Sequence, residues 1–188
     1  MAGLHRLFFA LWPDDVLRSA IADVAGSELS PSGHGRATRA ERLHLTLQFL
    51  GDFRTPADVV ERAMAAAESI EAPASFDLAL DQLGSFGGSG VAWLGTSTCP
   101  AELVQLHRRL GRALEARGLR TERADAFVPH VTLARGFRGT VEGRVPALPW
   151  HVREFVLVDS TAGGYRILGD WPLPAWHVSR GCRSPAVR

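Results

Sequence analysis

One pattern of five residues occurs twice in the chain. Leu43-His44-Leu45-Thr46-Leu47 returns as Pro129-His130-Val131-Thr132-Leu133, 130 − 44 = 86 residues later and close to half the chain length away. Both copies lie in strand-like sequence. Side chains alternate across a strand, so residues two apart share a face. His44 therefore points the same way as Thr46, with Leu43, Leu45 and Leu47 turned into a core. The same parity sets His130 beside Thr132, with Val131 and Leu133 buried. A lone His-x-Thr reads as structural, because single short motifs are weak signals. Two copies sharing the apolar middle residue and the following leucine call for a common cause, and the matched pair is read as functional.

The segments around the repeat suggest a mixed fold. Strands are predicted at residues 6–12, 43–50, from Phe76 to Leu83, 91–94, 127–135, 154–161 and 165–173. A helix with Leu17, Ala20, Ile21 and Val24 on one face would stop at Gly26. Thr55 and Pro56 read as an N-cap and first-position proline, ahead of a stripe from Val59 to Ile70. Pro100 opens a third helix, striped by Leu103, Leu106, Leu110, Ala113 and Leu114 and ended by Gly118. Residues 27–42 and 136–149 read as loops, and 84–90 as a hairpin tip. The order β-α-β-α-β-β-α-β-β-β suggests an α+β fold or a mixed sheet rather than a doubly wound nucleotide fold. At 188 residues the chain suits one domain, expected over 1–180, with 181–188 as a flexible tail.

Other bulk features narrow the chemistry. The formal net charge is +1, so no global basic field marks a nucleic-acid binder, and recognition would need a local site. Cys99 and Cys182 make neither a disulfide framework nor a metal knuckle and suit a reducing cytoplasm. The N-terminal apolar run is too short for a signal peptide or a membrane span. No phosphate loop or dinucleotide fingerprint is present, and no Gly-x-Ser-x-Gly marks a serine hydrolase. Two histidines could contribute to a zinc site, but no further ligands stand near either copy, so no metal and no cofactor are expected. Two imidazoles on one cleft can act as acid and base in a single step, since an ordinary histidine titrates near neutrality. Flanking threonine hydroxyls can donate to the non-bridging oxygens of a phosphodiester.

These motifs resemble the 2H phosphoesterase superfamily, and within it the bacterial RNA 2′,3′-cyclic phosphodiesterases, also known as 2′-5′ RNA ligases. The resemblance runs along the chain through Arg6-Leu7-Phe8-Phe9-Ala10, the stretch from Leu43 to Gly51, Val91-Ala92-Trp93-Leu94-Gly95, the stretch from Pro129 to Arg135, and Tyr165, Leu168 and Trp171. It implies a bilobal fold with two pseudo-symmetric lobes of antiparallel sheet, helices outside and a central cleft. It implies metal-independent hydrolysis of RNA 2′,3′-cyclic phosphate ends to 2′-phosphates. His44 would then be the proton donor and His130 the proton acceptor, with Thr46 and Thr132 holding the phosphate. The implied partners are RNA ends or oligonucleotides carrying the cyclic phosphate, and free nucleotides, handled by a monomer with no membrane association. Two rival readings are reversible 2′-5′ RNA ligation at the same site and a non-catalytic RNA-end or nucleotide-binding module.

Phe49 and Arg135 match substrate-binding positions of the family, yet each has the wrong strand parity. They reach the site only if the strands bend or end there. For Phe49 a core role and a base-stacking role stay open, whereas Arg135 reads as solvated or phosphate-pairing. Thr38-Arg39-Ala40-Glu41-Arg42 departs from the family's usual Val-Pro-x-x-Asn, leaving the shape of that rim open. His5, His34, His107, His151 and His177 lack a matched partner and read as surface or structural. Arg108, Arg109, Arg112 and Arg117 read as the solvated face of the third helix.

Overall fold

The first strand, β1 (His5–Leu11), is buried along most of its length, because it sits between two others in the middle of one half of the sheet. The computed structural model describes residues 3–29, 35–121 and 127–175. In chain order the elements are β1, α1 (Asp15–Leu29), β2 (Arg36–Ala37), a 3₁₀ turn (Ala40–Arg42), β3 (Leu45–Phe53), α2 (Ala57–Ser69), β4 (Phe76–Phe86), β5 (Val91–Gly95), α3 (Ala101–Glu115), β6 (His130–Arg135), β7 (Gly143–Val152), β8 (Glu154–Thr161) and β9 (Gly164–Pro172). The strands form one antiparallel sheet in the order β7-β4-β5-β6-β3-β1-β8-β9, with β2 paired to β6. Two four-stranded halves, β9-β8-β1-β3 and β6-β5-β4-β7, meet where β3 pairs with β6. This is the expected bilobal α+β fold.

The halves share one core. Leu7, Phe9 and Leu11 of β1, Leu45 and Leu47 of β3, Leu78 and Leu80 of β4 and Val131 of β6 pack in a single apolar cluster with the helix stripes. The helices cover this face and leave the other one open. Connections cross between the halves: α1 follows β1 but packs on β6 and β7, while α3 follows β5 and packs on β3.

Several predicted boundaries shift, each for a tertiary reason. α1 runs past Gly26 to Leu29, whose burial in the core offsets a helical glycine. Pro56 itself is the N-cap residue of α2, so Thr55 caps nothing. β3 continues through Gly51 and Asp52, which pair with Leu7 and Arg6. The predicted loops 27–42 and 136–149 contain β2 and most of β7. β7 carries Pro146 and Pro149 yet pairs with β4 on both sides of an irregularity that leaves Pro146 without a partner; it lies at the sheet edge, where a missing N–H can face solvent. β4 also extends to Phe86, so Gly84 is a strand residue. A Cβ there would lie 2.1 Å from Cζ2 of Trp93, its cross-strand partner, so only glycine lets that indole lie flat on β4. The tail, residues 181–188, lies outside the described residues, as do His34, His177 and Cys182.

Candidate active site

The two strand copies meet at equivalent residues. Leu45 pairs with Val131 in antiparallel register, and these are the middle residues of the two His-x-Thr motifs. The pseudo-twofold axis thus passes through that pair. Continuing the register by one residue sets His44 against Thr132 and Thr46 against His130. Leu45 and Val131 are fully buried on the core side, while the four polar side chains are partly exposed on the opposite face. They line one cleft of about 680 Å³.

Phe49 and Arg135 line the same cleft despite their parity. Ala10 pairs with Thr46 but Phe9 with Gln48, which makes Leu47 an extra residue in β3. Trp93 pairs with Thr132 but Ala92 with Ala134, which makes Leu133 extra in β6. A bulge of this kind inserts one residue and reverses alternation beyond it. Leu47 and Gln48 are accordingly both buried in sequence, as are Leu133 and Ala134. The bulges stand at matching positions, three residues after each histidine. Phe49 and Arg135, five residues after, are thereby returned to the cleft face. The strands bend in place, and Arg135 is exposed at the cleft.

Both imidazoles are anchored alike. Nδ1 of His44 lies 2.7 Å from the carbonyl oxygen of Arg42, and Nδ1 of His130 lies 2.7 Å from that of Val128. A carbonyl only accepts, so each ring carries its proton on Nδ1 and turns Nε2 away from the backbone. The aromatic surroundings differ. Phe8 stacks on His44 at 4.7 Å and Trp12 at 5.6 Å, with Tyr165 edge-on at 5.5 Å. His130 meets the edge of Phe86 at 5.1 Å and a tilted Trp93 at 6.2 Å. Burial lowers the His44 pKa to about 4; the bond to the Arg42 carbonyl opposes this, and the charges of Arg135 and His130 add to it. His44 is therefore neutral at pH 7 in the ligand-free protein.

Among the described residues, the remaining histidines stand apart from the cleft. His5 and His151 bond to Asp159 and Asp77. His107 is buried against Phe127 at 3.9 Å, and burial also lowers its pKa to about 4, with a smaller contribution from Arg108. Arg109 and Arg117 donate to the carbonyls of Glu71 and Ala113, a local role consistent with the solvated face of α3. Among the described residues no group of three or more His, Cys, Asp and Glu side chains is placed to hold a metal ion.

Sequence reasoning missed the aromatic surround of His44 and the basic rim. Alternation along β1 could have placed Phe8 on the cleft side; Trp12 and Tyr165 carry no local signal. The rim consists of Arg36, Arg39 and Arg42, brought beside Arg135 by the pairing of β2 with β6. Arg42 also lies over the Tyr165 ring at 5.2 Å.

Comparison with known proteins agrees with this geometry. An RNA 2′,3′-cyclic phosphodiesterase of Escherichia coli (strain K12) is 33% identical over 182 residues, covering 96% of this chain and 100% of that protein. The E. coli LigT structure in complex with 3′-AMP superimposes with a TM-score of 0.72 at 30% identity, covering 91% of this chain and 98% of LigT. A further crystal structure, of a phosphoesterase, gives 0.76 at 32% identity, with 90% and 98% covered. The family model of the 2′-5′ RNA ligase superfamily matches residues 13–164, a span holding both His-x-Thr strands. The chain belongs to the 2′-5′ RNA ligase superfamily, with the fold of the 2H phosphoesterases.

Proposed function

We propose that this protein is an RNA 2′,3′-cyclic phosphodiesterase that opens the cyclic end to a 2′-phosphate and a free 3′-hydroxyl. The observation that carries the reading is the Leu45–Val131 register, which sets each imidazole against the other motif's threonine across one cleft. His130 takes a proton from water as the water oxygen bonds to phosphorus. The bond from phosphorus to the 3′-oxygen breaks, and His44 protonates that oxygen. Thr46 and Thr132 donate hydrogen bonds to the non-bridging oxygens, where negative charge gathers. Arg135 balances the phosphate charge, and Phe49 offers a ring face to the terminal nucleoside. This chemistry is metal-independent in our reading, because two histidines with their Nδ1 atoms bound to carbonyls supply the proton transfer themselves.

His44 must carry a proton to act as the donor, yet burial keeps it neutral in the free protein. The negative charge of the bound phosphodiester reverses this, since an opposite charge a few ångströms away favours the protonated imidazole. The donor is thus charged by its own substrate. Both motifs belong to one chain, which supports a monomeric catalytic unit spanning residues 1–180. The exposed, unpaired Cys99 supports a reducing, cytoplasmic setting; no helix of the described residues is long and apolar enough to cross a membrane.

The test is incubation of the protein, with and without EDTA, with an oligonucleotide ending in a 2′,3′-cyclic phosphate. A 2′-phosphate product in both conditions is expected. A 3′-phosphate product would overturn the assignment of the leaving oxygen. Turnover lost in EDTA and restored by zinc or manganese would overturn the metal-independent mechanism.

A further inference from the structure

Beside the catalytic cleft lies a second cavity of about 550 Å³, which shares Arg36, Arg42, His44, Thr132, Arg135 and Tyr165 with it. Arg36 and Arg42 stand between the two cavities, Arg39 lines the second one and not the cleft, and no carboxylate lines the second cavity. Among the described residues, Arg36, Arg42 and Arg135 make no ion pair, and Arg39 only reaches Glu41 at 4.0 Å. Some arginines elsewhere face carboxylates, as in the Arg6–Asp52, Arg62–Asp58 and Arg144–Asp81 pairs; what sets the rim apart is that several arginines converge on one cavity.

The backbone holds these charges together at a cost. β2 is only two residues long, and it sets Arg36 directly opposite Arg135. Like charges facing across a strand pair are destabilising. The arrangement is nevertheless pinned: the Thr38 amide donates to the Leu133 carbonyl at 2.8 Å, and the 3₁₀ turn then presents Arg39 and Arg42 on the same rim. Guanidinium groups converging on a polar cavity without a protein counter-charge fit a phosphate.

Resting on the phosphodiesterase reading, we infer that Arg39, with Arg36 and Arg42 at the border of the cleft, forms a second phosphate subsite adjoining the one that holds the reacting cyclic phosphate. In an RNA end the neighbouring phosphate is the one on the 5′ side of the terminal nucleoside. The shared chemistry is a phosphate one nucleoside away from the cyclic phosphate, either a 5′-monoester on a mononucleotide or the internucleotide diester of an oligomer. The subsite selects substrates that carry it over nucleosides that end in a 5′-hydroxyl.

The experiment compares cytidine 2′,3′-cyclic phosphate, its 5′-phosphorylated form and a dinucleotide with the same cyclic end. Calorimetric binding to the inactive His130→Ala protein is measured alongside kcat and KM for the active one. A second phosphate held by charge-assisted hydrogen bonds is expected to tighten binding and lower KM about tenfold or more, with kcat little changed. Log affinity should fall more steeply with log salt, by about 0.7 for the added phosphate. Arg39 is exposed and outside the catalytic cleft, so Arg39→Ala should remove the preference while the 5′-hydroxyl substrate reacts as before; Arg39→Lys should restore part of it. Preference for the monoester alone or for the dinucleotide as well identifies the source. Equal binding of all three ligands, or a preference that survives in both Arg39→Ala and Arg36→Ala, would overturn the subsite. Absence of turnover with every substrate would overturn the phosphodiesterase reading, while the binding data still decide the subsite.

Discussion

The two halves of the cleft share a backbone and differ in what surrounds each histidine. On β3 and β6 the His-x-Thr motif, the bulge three residues after the histidine and the Nδ1 bond to the carbonyl two residues before it are all repeated. The surroundings are not. His44 is packed against Phe8, Trp12 and Tyr165, whereas His130 has Phe86 and Trp93 to one side. At the same distance from its histidine, β3 carries Phe49 and β6 carries Arg135. A duplicated scaffold thus fixes where two proton carriers stand, and the burial around His44 makes it hold its proton less tightly than an ordinary histidine.

Removing either histidine is the harshest test of this division of labour. His44→Ala and His130→Ala should each slow single-turnover cleavage about 10²–10⁴-fold while equilibrium binding changes far less. Because both act in one displacement, the double variant should be less impaired than the product of the single losses. A single variant cleaving at near wild-type rate would refute the acid–base pair.

The threonines probe what the halves have in common. Thr46→Val and Thr132→Val each remove one hydroxyl donor to a charged oxygen and should cost about tenfold in kcat/KM. The matched register predicts similar losses. A loss confined to one side would show that the phosphate sits off the axis through Leu45 and Val131.

Proton linkage probes what differs. His44 is neutral above about pH 4 in the free protein and must be charged in the complex. Binding of an uncleaved phosphodiester analogue at pH 7 should therefore take up close to one proton, read by calorimetry in buffers of different ionisation enthalpy. His44→Ala should abolish the uptake. Uptake that persists in this variant would move the donor role to His130.

A smaller effect falls on stability alone. His44 and His107 both have pKa values lowered from the ordinary 6.5 to about 4. Between those values the unfolded chain binds more protons than the folded one, so stability is complete above about pH 6.5 and is lost as the pH falls toward 4. Each group contributes at most about 1.4 kcal/mol per pH unit in that window. Urea midpoints should fall from pH 7 to pH 5, and the His107→Gln protein should show a shallower decline. An unchanged slope would show that His107 titrates normally.

What the sequence determined by itself was local. Alternation along a strand is a property of five residues, so it placed His44 with Thr46 and His130 with Thr132, and put the intervening Leu45 and Val131 in the core. Helical stripes located α1, α2 and α3 to within a few residues, and the spread of motifs along the chain pointed to the family. The tertiary structure decided what depends on a partner strand. The pairing of Leu45 with Val131 joins residues 86 positions apart, and nothing within either segment specifies it. The bulges at Leu47 and Leu133 exist because of how β1 and β5 lie against β3 and β6, and they alone carry Phe49 and Arg135 back to the cleft. β7 holds Pro149 at the sheet edge and Pro146 in a break of its pairing, and the arginine rim arises only once β2 reaches β6. Period and composition are written along the chain, whereas register and edge position belong to pairs of strands and come into being only when the strands meet.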